Sequence, residues 1–324
     1  MKAFPVLVVP FLVSVFLAPH SALSQGESYP AKPVRVVVVF PPGGSNDVTA
    51  RIVFKKMDEI ARQQFVVDNR GGAAGTIGAT MVAQSPPDGY TVMVQSATHI
   101  ANAYVYKGKL EYDTLKDFTG VTALAKQIGI MVVHPSMPVK SVKELIDLAK
   151  RRPGEINYGS AGPGSYVHLN MAMFISMSGT KMQHVPYRGG GPLSVGIMSG
   201  EVQTTIGTIG SFIRHIQSGR MRALGVTSAK RVPQLPDVPT LGDTLRGFDF
   251  TAWVGCFVPG QTPRPVVNKL NSLLKAALAD PDVSSKLVAA TLEPMYMTPE
   301  QFEQRLKSDY ERYGTLMKQI GVVK

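Results

Sequence analysis

Short apolar runs typical of β-strands alternate with amphipathic stretches typical of helices along almost the whole chain. Val34–Phe40 (VRVVVVF) is nearly uninterrupted by polar residues, which is typical of a strand covered on both faces. Ser141–Arg152 has its apolar positions on one helical face, and Ser141 and Glu144 have the spacing of a capping box. This βαβα order predicts an α/β protein with mainly parallel sheets and helices on both sheet faces.

Two looser stretches divide the alternation into parts. A less regular stretch follows the predicted strand Tyr90–Gln95 and ends near Lys126, and a second covers residues 231–250. The simplest interpretation is two doubly wound α/β lobes, the second inserted into the first. Lobe 1 then comprises residues 30–130 and 252–324, and lobe 2 comprises residues 131–251.

The first residues have the pattern of an export signal. Lys2 precedes an apolar run, and Ala22-Leu23-Ser24 has the small-x-small form of a signal-peptidase site. We expect a signal peptide at residues 1–24 and a periplasmic mature protein; an uncleaved anchor is the alternative. The segment lacks cysteine, which excludes a lipoprotein.

Composition narrows the function classes. Hydrophobic residues make up 44% of the chain, enough to bury a core, which excludes a disordered tail protein. A single cysteine excludes an internal disulfide and a thiolate-based metal cluster. The formal charge of +11 is compatible with nucleic-acid binding, but the basic residues are not interleaved with aromatic ones, so no nucleic-acid partner is expected. The histidines show no metal-ligand spacing, and no cofactor motif is present.

The strongest local motif is Phe40-Pro41-Pro42-Gly43-Gly44-Ser45-Asn46-Asp47, in which a predicted strand ends and a helix begins. Gly43 and Gly44 allow an external group to approach the backbone. The free N–H groups and the positive dipole end of the helix suit a carboxylate or a phosphate. Asp47, in the first helical turn, is interpreted as a capping residue. The alternative is an ordinary tight turn.

A second motif of the same kind is Tyr158-Gly159-Ser160-Ala161-Gly162-Pro163-Gly164-Ser165-Tyr166-Val167-His168. It also joins a predicted strand to a helix, and ligands of open α/β sheets bind at such strand ends. Two such loops, one in each lobe, could hold a small anion from both sides. His168 is interpreted as a packing or capping residue.

Other candidate residues are weaker. Tyr187 could line a pocket at a strand end and Arg188 could pair with a carboxylate, although Arg188 is better explained as a surface residue. Trp253 is interpreted as a core or hinge residue. The sequence contains no G-x-S-x-G elbow, no Walker A motif and no H-E-x-x-H, which counts against the common hydrolases and nucleotide-binding enzymes.

Many short motifs, in this order, resemble the periplasmic receptors of tripartite tricarboxylate transporters, the Bug family. The resemblance covers the chain from about Tyr29 onward. The motifs that carry it are Tyr29-Pro30, Phe40-Pro41-Pro42-Gly43-Gly44 with Asp47, Val67-Asp68-Asn69-Arg70, Pro87-Asp88-Gly89-Tyr90-Thr91, Lys116-Asp117-Phe118, His168-Leu169, Val185-Pro186-Tyr187-Arg188-Gly189, Thr227-Ser228-Ala229-Lys230-Arg231, Leu235-Pro236-Asp237-Val238-Pro239-Thr240 and Thr298-Pro299-Glu300-Gln301-Phe302.

The resemblance implies a type II periplasmic-binding-protein architecture, a Venus-flytrap with two lobes joined by a hinge. It implies a small organic carboxylate as ligand, integral-membrane permease subunits as partners, and neither a cofactor nor catalysis. Carried over by position, the ligand-binding residues are Phe40, Gly43, Gly44, Ser45, Ser96, Ala97, Thr98, Ser160, Ala161, Gly164, Ser165 and Tyr187.

One departure from the family pattern bears on the ligand. Relatives carry aspartates after the strand that here contains Gln203 and ends near Thr208. A ligand with an amino group would lack one carboxylate partner at this position. The sequence therefore favours a carboxylate ligand without an amino group. Two alternative functions remain open at this point: a secreted α/β enzyme, and a ligand-sensing partner of a membrane signalling protein.

Overall fold

A computed structural model describes residues 29–248 and 250–319. The strands are β1 Val34–Val38, β2 Phe65–Asn69, β3 Thr91–Ser96, β4 Phe118–Gln127, β5 Gly129–Val133, β6 Asn157–Ser160, β7 Gln183–Pro186, β8 Thr204–Thr208, β9 Arg222–Val226, β10 Ala252–Pro259 and β11 Leu292–Pro294. The helices are α1 Ser45–Ala61, α2 Thr76–Ala83, α3 Thr98–Val105, α4 Val142–Arg151, α5 Tyr166–Ser178, α6 Gly190–Ser199, α7 Ile209–Gln217, α8 Arg264–Leu278, α9 Pro281–Ala289 and α10 Pro299–Gln319. The expected signal peptide at residues 1–24 lies outside the described residues.

The strands form two sheets with the same plan. Lobe 1 has the order β11-β4-β10-β3-β1-β2, and lobe 2 has the order β7-β6-β8-β5-β9. In each sheet one inner strand, β10 or β5, runs antiparallel to both of its neighbours. Because β4 leads directly into β5 and the segment after β9 leads into β10, each antiparallel strand is the one that follows a crossing between the lobes.

The apolar sequence of β1 is explained by helices on both faces of the sheet. Val34, Val36 and Val38 pack in one cluster with residues of α1 and α8. Val37, which points to the other face, packs in a second cluster with residues of α2. Because both faces of β1 are buried, a strand without alternating polar residues is stable at this position.

The two crossings run side by side, and we call residues 127–129 and 250–252 the hinge. The Gly129 N–H donates to Thr227 Oγ1 at 2.8 Å, and the Thr227 N–H donates to the Gly129 carbonyl at 2.9 Å. The hydroxyl of Tyr166, at the start of α5, donates to the carbonyl oxygen of Gln127 at 3.1 Å. The Phe250 N–H donates to the Thr227 carbonyl at 3.3 Å, so that lobe 2 is connected to both hinge segments.

Two expectations from the sequence are wrong in detail. The stretch predicted to be less regular contains helix α3 and the ten-residue strand β4. The sheets are mixed rather than mainly parallel, because β10 and β5 run antiparallel to both of their neighbours and the short edge strand β11 pairs antiparallel with β4. Helix α9 and strand β11 were not predicted either, and the remaining strands and helices alternate as predicted.

Candidate functional site

The loop after β1 presents an open helix start. Gly43 and Gly44 are exposed, and Gly43 has a φ of 83°, which favours glycine. Gly44 is the N-cap of the 17-residue helix α1, and it contributes no side chain to cap the first turn. Backbone N–H groups of the first turn, beginning at Ser45, are therefore oriented toward the loop.

Asp47 holds this loop in shape. Its carboxylate accepts hydrogen bonds from the Gly43 N–H, from Arg51 Nε and from Asn69 Nδ2, each at 2.9 Å. Burial acts to raise the pKa of Asp47, but the bonds from Gly43, Arg51 and Asn69 outweigh it and keep the pKa below its ordinary value. The carboxylate is fully engaged, in agreement with its interpretation as a capping residue.

The end of β3 supplies a second group of candidates in lobe 1. The Ser96 hydroxyl donates to Thr98 Oγ1 at 3.0 Å, and the Ala97 N–H donates to the Trp253 carbonyl at 3.0 Å. Ser96, Ala97 and Thr98 are between 2% and 4% exposed. In this conformation the three residues face one another and the return strand rather than solvent.

Gln127 is a polar residue of this region that sequence reasoning missed. It is the last residue of β4, and its Nε2 donates to the hydroxyl of Ser45 on α1. The Oε1 atom of Gln127 and the Oδ1 atom of Asn46 are both buried without a hydrogen-bond partner. No sequence signal distinguished these two residues, because Asn46 lies between Ser45 and Asp47 and Gln127 follows Lys126.

In lobe 2, the loop after β6 is fixed from inside the protein. Ser160 has no exposed surface, and its Oγ lies 2.6 Å from Nε2 of His184 on β7. The same oxygen accepts a hydrogen bond from the Gly162 N–H at 3.1 Å. Ser165, the N-cap of α5, accepts from the His168 N–H at 3.3 Å. Ala161 and Ser165 are half-buried and remain at the surface of the loop.

His168 lies beneath the same loop. Its Nδ1 accepts a hydrogen bond from the Gly164 N–H at 3.1 Å, and its ring stacks on His184 with centroids 4.3 Å apart. Burial, with a smaller contribution from His184, lowers the pKa of His168 to about 4. Burial also lowers the pKa of His184. His168 is thus a packing and capping residue, as interpreted from the sequence.

Tyr187 turns its side chain into lobe 2. A Cβ added at Gly196 of α6 would lie 2.2 Å from the Tyr187 hydroxyl oxygen, and one added at Gly159 would also meet the ring. Burial, with a smaller contribution from the neighbouring Glu201, raises the pKa of Tyr187 to about 12. Its backbone contributes to the loop, because the Tyr187 N–H donates to the Ser160 carbonyl at 2.9 Å.

The two lobes come together beside these loops. Gly164 of lobe 2 packs against Val105 at the end of α3, where an added Cβ would lie 2.5 Å from Val105 Cγ2. Helix α3 begins at Thr98, so it connects the loop after β3 to this contact between the lobes. Phe40 is half-buried and packs against the apolar cluster that reaches from lobe 1 into lobe 2.

Within residues 29–248 and 250–319, no group of three or more His, Cys, Asp or Glu side chains is arranged to hold a metal ion. In the same part of the chain, no helix combines the length and the apolar character needed to cross a bilayer. Cys256 is buried, and burial raises the pKa of its thiol.

Two lobes of this topology, joined by two crossings and carrying donor-rich loops where they meet, define a periplasmic binding protein of type II. The profile of the tripartite tricarboxylate transporter family receptors matches residues 49–322. Protein BugT of Bordetella pertussis is 30% identical over 314 residues, which cover 96% of this chain and 96% of BugT. The chain belongs to the tripartite tricarboxylate transporter receptor family.

Solved structures agree with this assignment. An R. palustris protein with adipate has a TM-score of 0.84 at 34% identity, covering 90% of this chain and 98% of that chain. MatC from Rhodopseudomonas palustris with bound malate has a TM-score of 0.79 at 29% identity, covering 89% and 99%. The predicted family and the predicted two-lobed fold are confirmed.

Proposed function

We propose that this protein is a periplasmic receptor that binds a small organic carboxylate between its lobes and delivers it to the permease subunits of a tripartite tricarboxylate transporter. The observation that carries the proposal is the open start of α1, where Gly44 provides no side-chain cap. Free N–H groups and a helix dipole at that position stabilise a carboxylate. The carboxylates bound by similar proteins, adipate and malate, have matching chemistry.

The proposed contacts combine two sets of loops. Lobe 1 contributes Phe40, Gly43, Gly44 and Ser45 with the segment 96–98, and lobe 2 contributes Ala161, Gly164 and Ser165. Ser160 and Tyr187 belong to the proposed site as well, with side chains that face the interior of lobe 2 in this conformation. The proposed division of the chain is lobe 1 at 30–130 and 252–324, and lobe 2 at 131–251.

The proposed ligand carries no amino group. Gln203 uses both ends of its amide within lobe 2, accepting from the Asn157 N–H at 2.8 Å and donating to the Gly200 carbonyl at 3.0 Å. Thr208 shares a hydrogen bond with Ser211 at 2.8 Å. Neither position offers a carboxylate that an ammonium group could pair with.

A thermal-shift screen tests the receptor function. The protein is unfolded and refolded to remove co-purified ligand, and then screened with mono-, di- and tricarboxylates, with the amino dicarboxylate aspartate as a matched comparison for malate. A ligand at 100 times its dissociation constant adds about 2.7 kcal/mol to the free energy of unfolding. Stabilisation by malate or adipate but not by aspartate supports the proposal, and no stabilisation by any carboxylate contradicts it.

The pair Ser160 and His184 favours a second candidate, a secreted hydrolase, because a hydroxyl 2.6 Å from an imidazole nitrogen is the geometry of an activated nucleophile. Two features count against it. Ser160 has no exposed surface, and its oxygen already accepts from the Gly162 N–H. We therefore propose a receptor without catalysis. Covalent labelling of Ser160 by a fluorophosphonate probe would instead support the hydrolase.

A ligand-sensing role shares the same binding chemistry and differs in its membrane partner. Co-purification of the ligand-bound protein with the permease subunits, compared with a signalling ectodomain, distinguishes the two partners. The proposed export to the periplasm is tested by N-terminal sequencing of the mature protein, which should begin after Ser24.

A further inference from the structure

Two stacked imidazoles lie directly beneath the lobe 2 loop, and each contacts the loop through one nitrogen. Nδ1 of His168 is 3.1 Å from the Gly164 backbone nitrogen, and Nε2 of His184 is 2.6 Å from Ser160 Oγ. The rings are 4.3 Å apart and inclined by 15°. The ring of Tyr158 on β6 stacks on His184 at 4.9 Å. Both ends of the loop are thus attached to one aromatic stack.

The hydrogen bond from Gly164 fixes the protonation state of His168. A backbone N–H can only donate, so Nδ1 of His168 must be an acceptor and therefore carries no proton. A neutral imidazole then carries its proton on Nε2. A second proton, on Nδ1, would place an N–H of His168 opposite the N–H of Gly164. The hydrogen bond between them would break, and Gly164 would be released from the stack.

The bonds of Ser160 leave its hydroxyl unavailable to a ligand. The oxygen accepts from the Gly162 N–H at 3.1 Å, and it shares a second hydrogen bond with Nε2 of His184 at 2.6 Å, in which either group can be the donor. Ser160 has no exposed surface. The hydroxyl therefore joins the loop to the histidine stack instead of projecting into the space between the lobes.

The surroundings of the stack keep both histidines neutral near pH 7. Tyr158 is the titratable group that faces them from β6, and burial raises its pKa to about 12, so it remains uncharged. The titratable groups that α5 and β7 contribute are His168 and His184 themselves, which face each other. The residue of α3 that packs on the loop is the apolar Val105. Among the described residues, apart from the contribution of His184 to His168, no charged group is a cause of the lowered pKa of either histidine.

We propose that His168 and His184 are positioning residues for ligand capture by lobe 2, and that Ser160 acts on the ligand only through His184. The inference rests on the proposed receptor function. The stack holds the loop, from Ala161 to the first turn of α5, in the arrangement in which the backbone N–H groups that are not used within the loop receive the anion. A rigid set of donors requires less ordering when the ligand binds, so loss of the stack weakens binding.

Matched substitutions separate positioning from packing. His168→Asn keeps an acceptor near the position of Nδ1, and His168→Leu keeps only the volume. His184→Gln and His184→Phe form the corresponding pair. With malate and adipate as probes, we expect the leucine and phenylalanine variants to bind about tenfold more weakly than their amide counterparts, because a buried N–H or hydroxyl then lacks its partner. Equal binding by both members of each pair would overturn the proposal.

A double-mutant cycle tests the indirect role of Ser160. Ser160→Ala alone should weaken binding two- to tenfold, and in the His184→Phe background it should have almost no further effect. A direct contact with the ligand would give the same loss in both backgrounds, and that result would overturn the second half of the proposal. Circular dichroism and thermal unfolding of each variant identify any that fail to fold.

The pH profile provides a readout that a merely structural role would not change. The affinity of the wild type should stay constant from pH 8 to about 5. At pH 4 it should have fallen about twofold more than the affinity of His168→Asn. The decline of His168→Asn itself reports protonation of the carboxylate probe. His134→Asn is the control, because His134 Nδ1 also accepts a backbone N–H, from Ser136, away from the loop. Coinciding profiles for the wild type and His168→Asn would contradict the proposal.

A ligand-independent measurement separates this inference from the receptor function. In the free protein, nitrogen NMR should show the His168 ring with Nδ1 unprotonated, and the Gly164 amide signal should shift only as pH approaches 4. If this result is obtained but no carboxylate binds at any pH, the inference about the histidine stack is supported and the receptor function is contradicted. If the His168 ring is protonated on Nδ1 at pH 7, the inference about the stack is contradicted even if carboxylates bind.

Discussion

The indole N–H of Trp253 donates a hydrogen bond to Oδ2 of Asp309 across 2.8 Å, and this bond fastens α10 to the strand that re-enters lobe 1. Asp309 is 2% exposed and also accepts from Arg305 Nε at 2.7 Å. The guanidinium of Arg312, 3.2 Å from Asp309 Oδ1, lies 5.3 Å from the ring centroid of Phe250 in the hinge. One buried carboxylate therefore links the C-terminal helix to the hinge.

We predict that this carboxylate stabilises the fold through the indole more than through its ion pairs. Asp309→Ala leaves the buried Trp253 N–H without an acceptor and should lower the free energy of unfolding by about 2 kcal/mol. Asp309→Asn keeps an acceptor oxygen and should cost about 1 kcal/mol, since Arg305 and Arg312 are partly exposed. Urea unfolding followed by fluorescence of Trp253, the sole tryptophan, measures both values.

Glu303→Gln on the same helix is the control, because its partner Lys307 and Glu303 itself are well exposed. Its effect should stay within about 0.5 kcal/mol. Equal destabilisation by the alanine and asparagine variants at Asp309 would contradict the role assigned to the indole bond.

The contact between Gly164 and Val105 predicts a steric limit on the approach of the lobes. Gly164 has a φ of 73°, and an added Cβ would lie 2.5 Å from Val105 Cγ2. Gly164→Ala should therefore combine a backbone cost of about 1 kcal/mol with a clash between the lobes, and reduce carboxylate affinity roughly tenfold or more. Isothermal titration with the best carboxylate measures the loss.

Val105→Ala provides the matched test of the clash. In combination with Gly164→Ala it should restore part of the affinity, because the shorter side chain removes the collision but not the backbone cost. The double-mutant coupling is the measured quantity. If the loss of binding free energy in the double variant equals the sum of the losses in the two single variants, the two residues do not meet during binding.

His99 predicts an acid-sensitive step in stability. It has no exposed surface, its Nε2 lies 3.1 Å from the Thr114 carbonyl oxygen, and burial lowers its pKa to about 4. The unfolded chain, with a histidine pKa of about 6.5, binds a proton that the folded protein excludes. The stability due to neutral His99 is therefore complete above about pH 6.5 and falls as pH decreases toward 4, by about 3 kcal/mol in total.

His99→Gln keeps a donor for the Thr114 carbonyl and does not titrate. Its baseline stability should be lower, but its loss of stability between pH 6.5 and 4 should be smaller than that of the wild type. Urea unfolding at pH 7.5, 6, 5 and 4.5 gives the two slopes. Parallel slopes would show that His99 is not the group responsible.

The sequence indicates the fold because most strands and helices have distinct hydrophobic periods. Strand β4 was not predicted, since Phe118–Gln127 (FTGVTALAKQ) mixes glycine, threonine and lysine with apolar residues. Its identity depends on neighbours far away in the chain, β10 and β11. The antiparallel direction of β10 and β5 could not be predicted from the hydrophobic pattern either, because a strand buried on both faces has the same composition in either direction.

The two loops were predicted because glycine and hydroxyl residues between a strand and a helix have a recognisable chemistry. Their supporting contacts were not. Ser160 meets His184 because the register of β6 and β7 pairs Tyr158 with His184. Gln127 meets Ser45 across 82 residues of sequence. Such contacts depend on strand pairing, which local sequence does not specify.

Asp47 gives the prediction that bears most directly on the lobe 1 loop. Three donors converge on its carboxylate, and one of them, the Gly43 N–H, belongs to the loop itself. Asp47→Ala should release Gly43, lower the free energy of unfolding by about 2 kcal/mol and reduce carboxylate affinity about tenfold. Arg51→Gln removes only a partner that is 53% exposed, so it should change stability by less than about 0.5 kcal/mol.

The pH dependence of the Asp47→Ala deficit separates this residue from the histidines. Burial acts to raise the pKa of Asp47, and the hydrogen bonds from Gly43, Arg51 and Asn69 hold it below the ordinary value. A depressed pKa means that the stability due to Asp47 is present above about pH 4 and is lost as pH falls further. Between pH 8 and 5 the difference between wild type and Asp47→Ala in urea unfolding should therefore be constant. A deficit that shrinks from pH 7 to 5 would mean that the carboxylate takes up a proton in the folded loop, which three converging donors do not permit.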